Sequence, residues 1–519
     1  AFGSGSKYGN PYGATYVYVS LSEKNSNGTI SYGTPVRYLV PSAIDIKNFS
    51  SSTSGSPAIV DIDGDGYNDL VFPYNSASGN KFENSYCIIY GKDIAARRVP
   101  ELTAVTIPLK SKNNKSLYSV FDVDGDGKEE ILCIDLTNEN GYYSGGIVEH
   151  SNMLQAKAGL FKFKLPYKPK SLFSGDYNND GLIDLIFFYD GGYTIYYNNG
   201  GNNTSSLFSE SNHFSVNEIG YKIYMSQGDF DGDGLIDFVY VNHSKFRIAR
   251  NNGDGTFTIN TCPDLAFLDL ENDPDHPRYN IIVCDINHDG CSDVLLTNTK
   301  SAHTLTDSYG YEQIIHLEKC TNWLYSDGTN LRLFAKNSKC DFKPVFNNHI
   351  FTGDFDGDGI YEVANYGGRI DPAANGKNDN NFYVYRTSYR GYDEGRLRYV
   401  SDGNGNSVRF SYAPLSSPSV YKEKEKSKYP VMTYSFPISV VSGSQSNESI
   451  KYYYENLRYH ADGRGSLGFS LVGSENLTTG IKQATEITRW DGTLYIPVET
   501  VSRTIVGTDT ATTVATSKI

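Results

Sequence analysis

The chain has 519 residues, too many for one ordinary domain and enough for two to four. Its 46 Lys and Arg against 60 Asp and Glu leave a net charge of −14, which argues against the basic face of a nucleic-acid binder. Only 20% of residues are charged, while 50 Gly, 42 Tyr and 26 Phe favour short strands joined by tight turns over long helices.

The chain opens on Ala1 with no basic and then apolar leader, so it reads as a processed or excised piece whose export signal, if it has one, lies outside it. Residues 1–44 hold two predicted strands, at 15–21 and 29–32, and look like the last half of a larger sheet unit. The longest apolar runs, such as 185–188 and 281–284, fall far short of the roughly 20 residues that cross a bilayer.

From residue 61 onward a nine-residue pattern recurs six times, its copies beginning at Asp61, Asp122, Asp176, Asp229, Asp285 and Asp354. Oxygen-bearing side chains fill positions 1, 3, 5 and 9. They are Asp61, Asp63, Asp65 and Asp69; Asp122, Asp124, Asp126 and Glu130; Asp176, Asn178, Asp180 and Asp184. The later copies carry Asp229, Asp231, Asp233 and Asp237; Asp285, Asn287, Asp289 and Asp293; Asp354, Asp356, Asp358 and Glu362. When the chain curls these oxygens converge, and the main-chain carbonyl of position 7 (Tyr67, Lys128, Leu182, Leu235, Cys291, Ile360) can join them. Position 6 is always Gly, which permits the positive φ of a sharp turn. Position 2 is always apolar (Ile62, Val123, Tyr177, Phe230, Ile286, Phe355), and position 10 opens an apolar, β-rich stretch.

A hard cation with six to eight loosely arranged oxygens suits such a loop, so up to six Ca²⁺ are expected. Mg²⁺, which demands a strict octahedron, fits less well. An EF-hand is excluded, because position 12 reads Phe72, Cys133, Phe187, Tyr240, Leu296 and Asn365 rather than a bidentate Glu. A plain turn needs one or two such residues, not three or four acids at alternating positions six times over. The loops with Asn178 and Asn287 lose a charge and are expected to bind more weakly. Positions 1, 3, 5 and 9 together hold 22 of the 60 carboxylates, so six Ca²⁺ would take the net charge from −14 to −2.

A period near 55 residues accommodates four strands of about six residues with their turns, the size of one propeller blade. The fourth copy shows this best, with predicted strands at 238–242, 245–250 and 256–259 and the turn 251–255; the third repeats it at 193–197 with a turn from 198. These residues resemble the FG-GAP/VCBS repeat family, in which Asp-rich calcium loops join strands of propeller blades, over roughly residues 45–400. The expected fold is all-β: a six- or seven-bladed β-propeller over 45–390, with 1–44 completing a blade or forming an extension, followed by a smaller β-rich Rhs-like segment over 391–519. A closed ring is favoured over an open solenoid, since no polar cap is evident.

After residue 390 the acidic loops stop. The stretch from Tyr392-Asp393 through Gly405-Asn406 to Tyr412 reads as strand, turn, strand and looks like one YD repeat of the Rhs family. Tyr429-Pro430, the run from Tyr452 to Arg458, and Asp462-Gly463-Arg464-Gly465 to Gly468-Phe469 resemble a segment of Tc toxin B components and SpvB-like proteins. The resemblance implies a secreted or surface-located bacterial toxin-delivery polypeptide that docks a protein partner or gates cargo. A calcium-dependent adhesin for a glycan or protein is the alternative.

No catalytic constellation emerges, and the chain is expected not to be an enzyme. The nine His are dispersed, with His288 solvated at a loop position 4, and neither GxSxG nor a Walker A motif occurs. Glu423 and Glu425 have the spacing of paired ADP-ribosyltransferase glutamates but sit in a charge run that reads as an exposed linker. Arg464 is expected to be buried against a carboxylate. The seven Cys lack a CxxC pair and read as scattered buried thiols, with a Cys320–Cys340 bridge left open.

Overall fold

A computed structural model of the chain describes residues 2–4, 15–24, 30–34, 36–40, 58–75, 84–96, 103–107, 116–150, 154–200, 206–216, 224–242, 245–262, 278–286, 289–306, 312–333, 349–355, 361–366, 369–370, 378–379, 382–385, 396–425, 427–434, 438–461 and 464–517. The expectation of an all-β chain holds. The one helix among the described residues is the single turn Gly91–Ala95, and no helix is long and apolar enough to cross a membrane.

Five four-stranded antiparallel sheets follow one another as blades of a β-propeller, each with its strands in chain order. Sheet 1 comprises Ala58–Val60, Asp69–Asn75, Asn84–Ile89 and Thr103–Ile107. Sheet 2 comprises Ser116–Phe121, Glu130–Asp135, Tyr142–His150 and Leu154–Lys164. Sheet 3 runs through Ser171–Gly175, Asp184–Tyr189, Gly192–Asn198 and Phe208–Ser215, and sheet 4 through Tyr224–Gly228, Asp237–Asn242, Lys245–Asn251 and Phe257–Thr261. Sheet 5 has Arg278–Cys284, Asp293–Thr306, Glu312–Ser326 and Leu331–Leu333. A further sheet with the same opening has three strands, His349–Gly353, Glu362–Tyr366 and Phe382–Tyr385. The N-terminal strands Phe2–Ser4, Thr15–Val19 and Val36–Val40 form a separate three-stranded sheet.

The second strands of sheets 2 and 3, and residues 237–241 and 293–296 of sheets 4 and 5, are buried on both faces, which is why they read as unbroken apolar runs rather than alternating ones. Side chains on a strand alternate, so successive residues serve opposite neighbours. In sheet 3, Leu185, Phe187 and Tyr189 join a cluster with Leu132, Ile134 and Phe163 of sheet 2, while Ile186 and Phe188 join Phe238 and Tyr240 of sheet 4. In sheet 4, Val239 and Val241 turn the other way, to Val294 and Leu296 of sheet 5. Ile131 and Cys133 likewise face Val71 and Ile88 of sheet 1. The core is thus a series of inter-sheet layers, and ring contacts such as Phe188 on Phe238 at 5.1 Å add aromatic geometry to plain burial.

The C-terminal part is a ten-stranded sheet. The expected strand, turn, strand appears as Tyr399–Ser401 and Ser407–Pro414; Tyr392 and Asp393 lie outside the described residues. Its long strands Ser449–His460 and Gly465–Asn476 pair antiparallel, and the short strand Val431–Tyr434 adds to the former with Val431 opposite His460. A small core of Leu415, Val420 and Tyr421 packs against Tyr454, Leu457 and Phe469.

Candidate metal centre

Every acidic loop joins the first and second strands of its sheet. The residue before position 1 pairs across the ladder with position 9: Val60 with Asp69, Phe121 with Glu130, Gly175 with Asp184, Gly228 with Asp237, Cys284 with Asp293 and Gly353 with Glu362. Position 9 is therefore at the pinched base of the loop and is fully buried, at 0% exposure for Asp69, Asp184, Asp237 and Asp293.

Its carboxylate acts as a staple. One oxygen accepts the N–H of position 2 in all six loops, from Ile62, Val123, Tyr177, Phe230, Ile286 and Phe355. In four loops the other oxygen accepts an N–H at the end of the third strand or just beyond it, from Gly91, Asn198, Asn251 and Ser326. Position 1 caps the loop from inside. Asp61, Asp122, Asp176, Asp229 and Asp285 each accept the N–H of the position-6 glycine, and all five of those glycines have positive φ, from 84° to 90°. Position 5 turns towards position 7: Asp65, Asp126, Asp180, Asp233 and Asp289 accept the N–H of Tyr67, Lys128, Leu182, Leu235 and Cys291.

Among the described residues, carboxylate oxygens from positions 1, 3 and 9 converge in three loops, within 4.8 Å of one another: Asp61, Asp63 and Asp69; Asp122, Asp124 and Glu130; Asp229, Asp231 and Asp237. These triads can hold a metal ion. Position 5, expected in the same shell, lies outside these triads of acidic side chains. Two buried oxygens, Oδ1 of Asp63 and Oδ1 of Asp231, find no hydrogen-bond partner among the described residues. An unpaired buried carboxylate oxygen is costly, and a bound cation is the partner such an atom fits.

The electrostatics agree. Burial pushes Asp69, Asp184, Asp237 and Asp293 up to about 7 and Glu130 up to about 9, against the opposing pull of the N–H bonds they accept. Asp61 and Asp122 are also raised, first by burial, then with like-charged neighbours adding to it. Protein cations partly answer the crowding. The Lys92 ammonium lies 2.5 Å from Asp63 and 3.2 Å from Asp65, and although burial opposes it, those carboxylates raise the lysine pKa. Arg250 Nε stands 3.4 Å from Asp231 in the fourth loop. At the matching ladder place in sheet 2 stands Glu149, whose charge raises Asp124 further, after burial, Asp126 and Asp122.

In the third loop the amide of Asn178 donates to Asp180 at 2.9 Å, a neutral substitute for part of a cation's work. Asn287 and His288 of the fifth loop, and Asp356, Asp358 and Ile360 of the sixth, lie outside the described residues. Sequence reasoning missed position 8, which bears on the preceding sheet. A Cβ on Gly175 would come 2.5 Å from Ile236, and one on Gly228 would come 2.7 Å from Ser292. Glu129 occupies the same place in the second loop and is pushed up to about 7 by burial and then by Asp61. No periodic signal marks this position, because its residue type varies with the neighbour it meets.

Glu423, Glu425 and Arg464, also singled out in the sequence, lie in the C-terminal part. Glu423 and Glu425 are exposed, as expected, but their segment is not a linker: Lys424 and Glu425 donate main-chain N–H groups to Asn456, and Arg458 bonds Glu425. Arg464 is a correction. It is exposed, donates to the Leu494 carbonyl at 3.1 Å and lies over Tyr495. Cys87, Cys133, Cys262, Cys284 and Cys291 are buried free thiols, whereas Cys340 lies outside the described residues.

No curated protein matches the chain. Among solved structures it is similar to the Photorhabdus luminescens Tc holotoxin pore, at 13% identity over 95% of this chain and 21% of that one, TM-score 0.45. It is also similar to a TcdB2-TccC3 structure, at 12% identity over 95% and 22% of the two chains, TM-score 0.35. A third likeness is to the V. cholerae biofilm matrix protein Bap1, at 13% identity over 97% and 80%, TM-score 0.26. The chain thus spans about a fifth of the length of the two Tc chains. Residues 229–296, which run from position 1 of the fourth loop into the second strand of sheet 5, match the FG-GAP-like repeat family.

Proposed function

We propose that this chain is a calcium-stabilised, non-enzymatic β-propeller scaffold belonging to a secreted or surface-located bacterial polypeptide of the Rhs/Tc toxin-delivery kind. Its role is to dock a protein partner or gate cargo. The three-stranded sheet opened by the sixth loop supplies a sixth blade, and the N-terminal three-stranded sheet a seventh. The delivery reading rests on the order along the chain: FG-GAP-like acidic loops first, then the YD-like stretch and the segment around Arg464. Calcium is favoured over magnesium because the donors are all oxygens held in a pliant turn.

The observation that carries the ion-binding part is the pair of buried, unpartnered oxygens on Asp63 and Asp231 inside convergent acid triads. The test is a metal count on the purified chain together with its melting temperature in calcium and in chelator. Three or more calcium ions per chain and a melting temperature lowered by chelator are expected, since one site at about 100 times its Kd contributes about 2.7 kcal/mol. Zero or one ion, with melting indifferent to chelator, overturns it.

A further inference from the structure

The C-terminal sheet touches the propeller at its first two acidic loops. A Cβ on Gly66 would lie 2.5 Å from Cβ of Ser427, and one on Gly127 would lie 2.4 Å from the carbonyl oxygen of Ala461. Between these contacts the Tyr429 hydroxyl donates to the main-chain carbonyl of Asp126, and the Lys128 ammonium sits 4.3 Å over the Tyr429 ring. The facing edge of the C-terminal sheet is itself tied together: Ala461 donates to the Pro430 carbonyl at 2.8 Å and Thr433 to the Ser427 hydroxyl at 2.9 Å. The glycines at position 6 of loops 3, 4 and 5 have the same positive φ, yet a Cβ on Gly181, Gly234 or Gly290 would meet nothing within 4 Å among the described residues. Loops 1 and 2 therefore differ from these three in carrying a docked surface on their tips.

We infer that the first two loops are the socket of the C-terminal sheet, and that cation binding within them sets whether that sheet is seated. The inference rests on the ion-binding reading above. The sheet contacts loop backbone, at Gly66, Gly127 and the Asp126 carbonyl, while the cation would be gripped from beneath by Asp61, Asp63 and Asp69 and by Asp122, Asp124 and Glu130. Without a cation, mutual repulsion of each triad works against the curled loop whose tip forms the socket. With one, the tip is fixed in the shape that fits Ser427, Tyr429 and Ala461. Linkage is reciprocal, so the seated sheet must tighten the cation by the same factor that the cation tightens the sheet.

Hydrogen exchange of the whole chain, in calcium and in chelator, reads both ends of this link. Calcium should protect the amides of loops 1, 2 and 4 and also those of 427–434, and Tyr429→Ala should abolish the second effect while leaving loop 4 protected. By calorimetric titration Tyr429→Ala should weaken calcium about five- to tenfold at two sites and leave the others unchanged. Gly127→Ala and Gly181→Ala bear the same φ strain, so greater exchange in 427–434 for the former alone isolates the contact from loop damage. Calcium protection of the loops with 427–434 unmoved overturns the latch and leaves ion binding intact. Calcium protection nowhere overturns the ion-binding reading itself.

Discussion

Replacing Asp184 with Ala separates the structural duty of a position-9 carboxylate from the metal-binding duty proposed for it. Asp184 is fully buried and accepts the N–H of Tyr177 at 3.0 Å and of Asn198 at 2.8 Å. Deleting the carboxyl leaves two buried donors without partners, at about 1–3 kcal/mol each, so about 2–6 kcal/mol in all. Asp180, in the same loop, is exposed and accepts from Leu182 and Asn178, bonds that water can replace. Asp180→Ala should therefore shift stability by no more than about 0.5 kcal/mol. Both variants are compared with the parent by urea unfolding in chelator at pH 6, just below the pKa of about 7 to which burial pushes Asp184, where much of the carboxyl is neutral and hydrogen bonding decides. If Asp184→Ala then loses no more than Asp180→Ala, position 9 is a metal ligand alone and the staple is wrong.

Two further outcomes follow from the same charges. In chelator the chain should melt at higher temperature as pH falls from 8 to 5. Asp69, Asp184, Asp237 and Asp293 titrate at about 7 and Glu130 at about 9 when folded, against about 3.9 and 4.3 unfolded. The folded state thus binds more protons across this window, and stability complete below the unfolded values is lost as pH rises through the folded ones. Saturating calcium should flatten the trend, and a chelated chain that melts lower at pH 5 contradicts it. Lys92→Met should tighten calcium at the first loop about two- to fivefold, the worth of a half-exposed ion pair at 2.5 Å; an unchanged isotherm says the ammonium does not compete.

The repeat was legible because loop chemistry constrains residue type at fixed spacing. Position 2 points inward in four loops, where Ile62, Val123, Tyr177 and Phe230 are within 1% of complete burial, whereas Ile286 and Phe355 are half-buried. The apolar run from position 10 is the doubly buried second strand. Position 9 was legible as an acid but not as a staple, because a carboxylate that accepts two N–H groups and one that binds a cation are the same letter. The hierarchy among loops was hidden for another reason. Lys92, Glu149 and Arg250 sit more than 12 residues beyond the loops they influence, and only the ladder register brings them back. Contacts between Gly127 and Ala461 span still more sequence and leave no periodic trace.

Loops 2, 3 and 4 also serve as joints between blades. The position-2 carbonyl of one loop accepts a side-chain hydrogen bond from the next sheet: Val123 from Asn198, Tyr177 from Asn251 and Phe230 from Ser326. Those donors are themselves pinned through their main-chain N–H by Asp184, Asp237 and Asp293 of their own loops. A cation that fixed one of these loops would also fix the acceptor offered to the next blade, and the chain of bonds runs loop to third strand to loop from sheet 2 to sheet 5. Exposed turns could supply reversal of the chain direction far more simply. Crowding carboxylates into every one of them makes sense if the bend must also set the angle between successive sheets, and must do so with a strength that depends on the ions available.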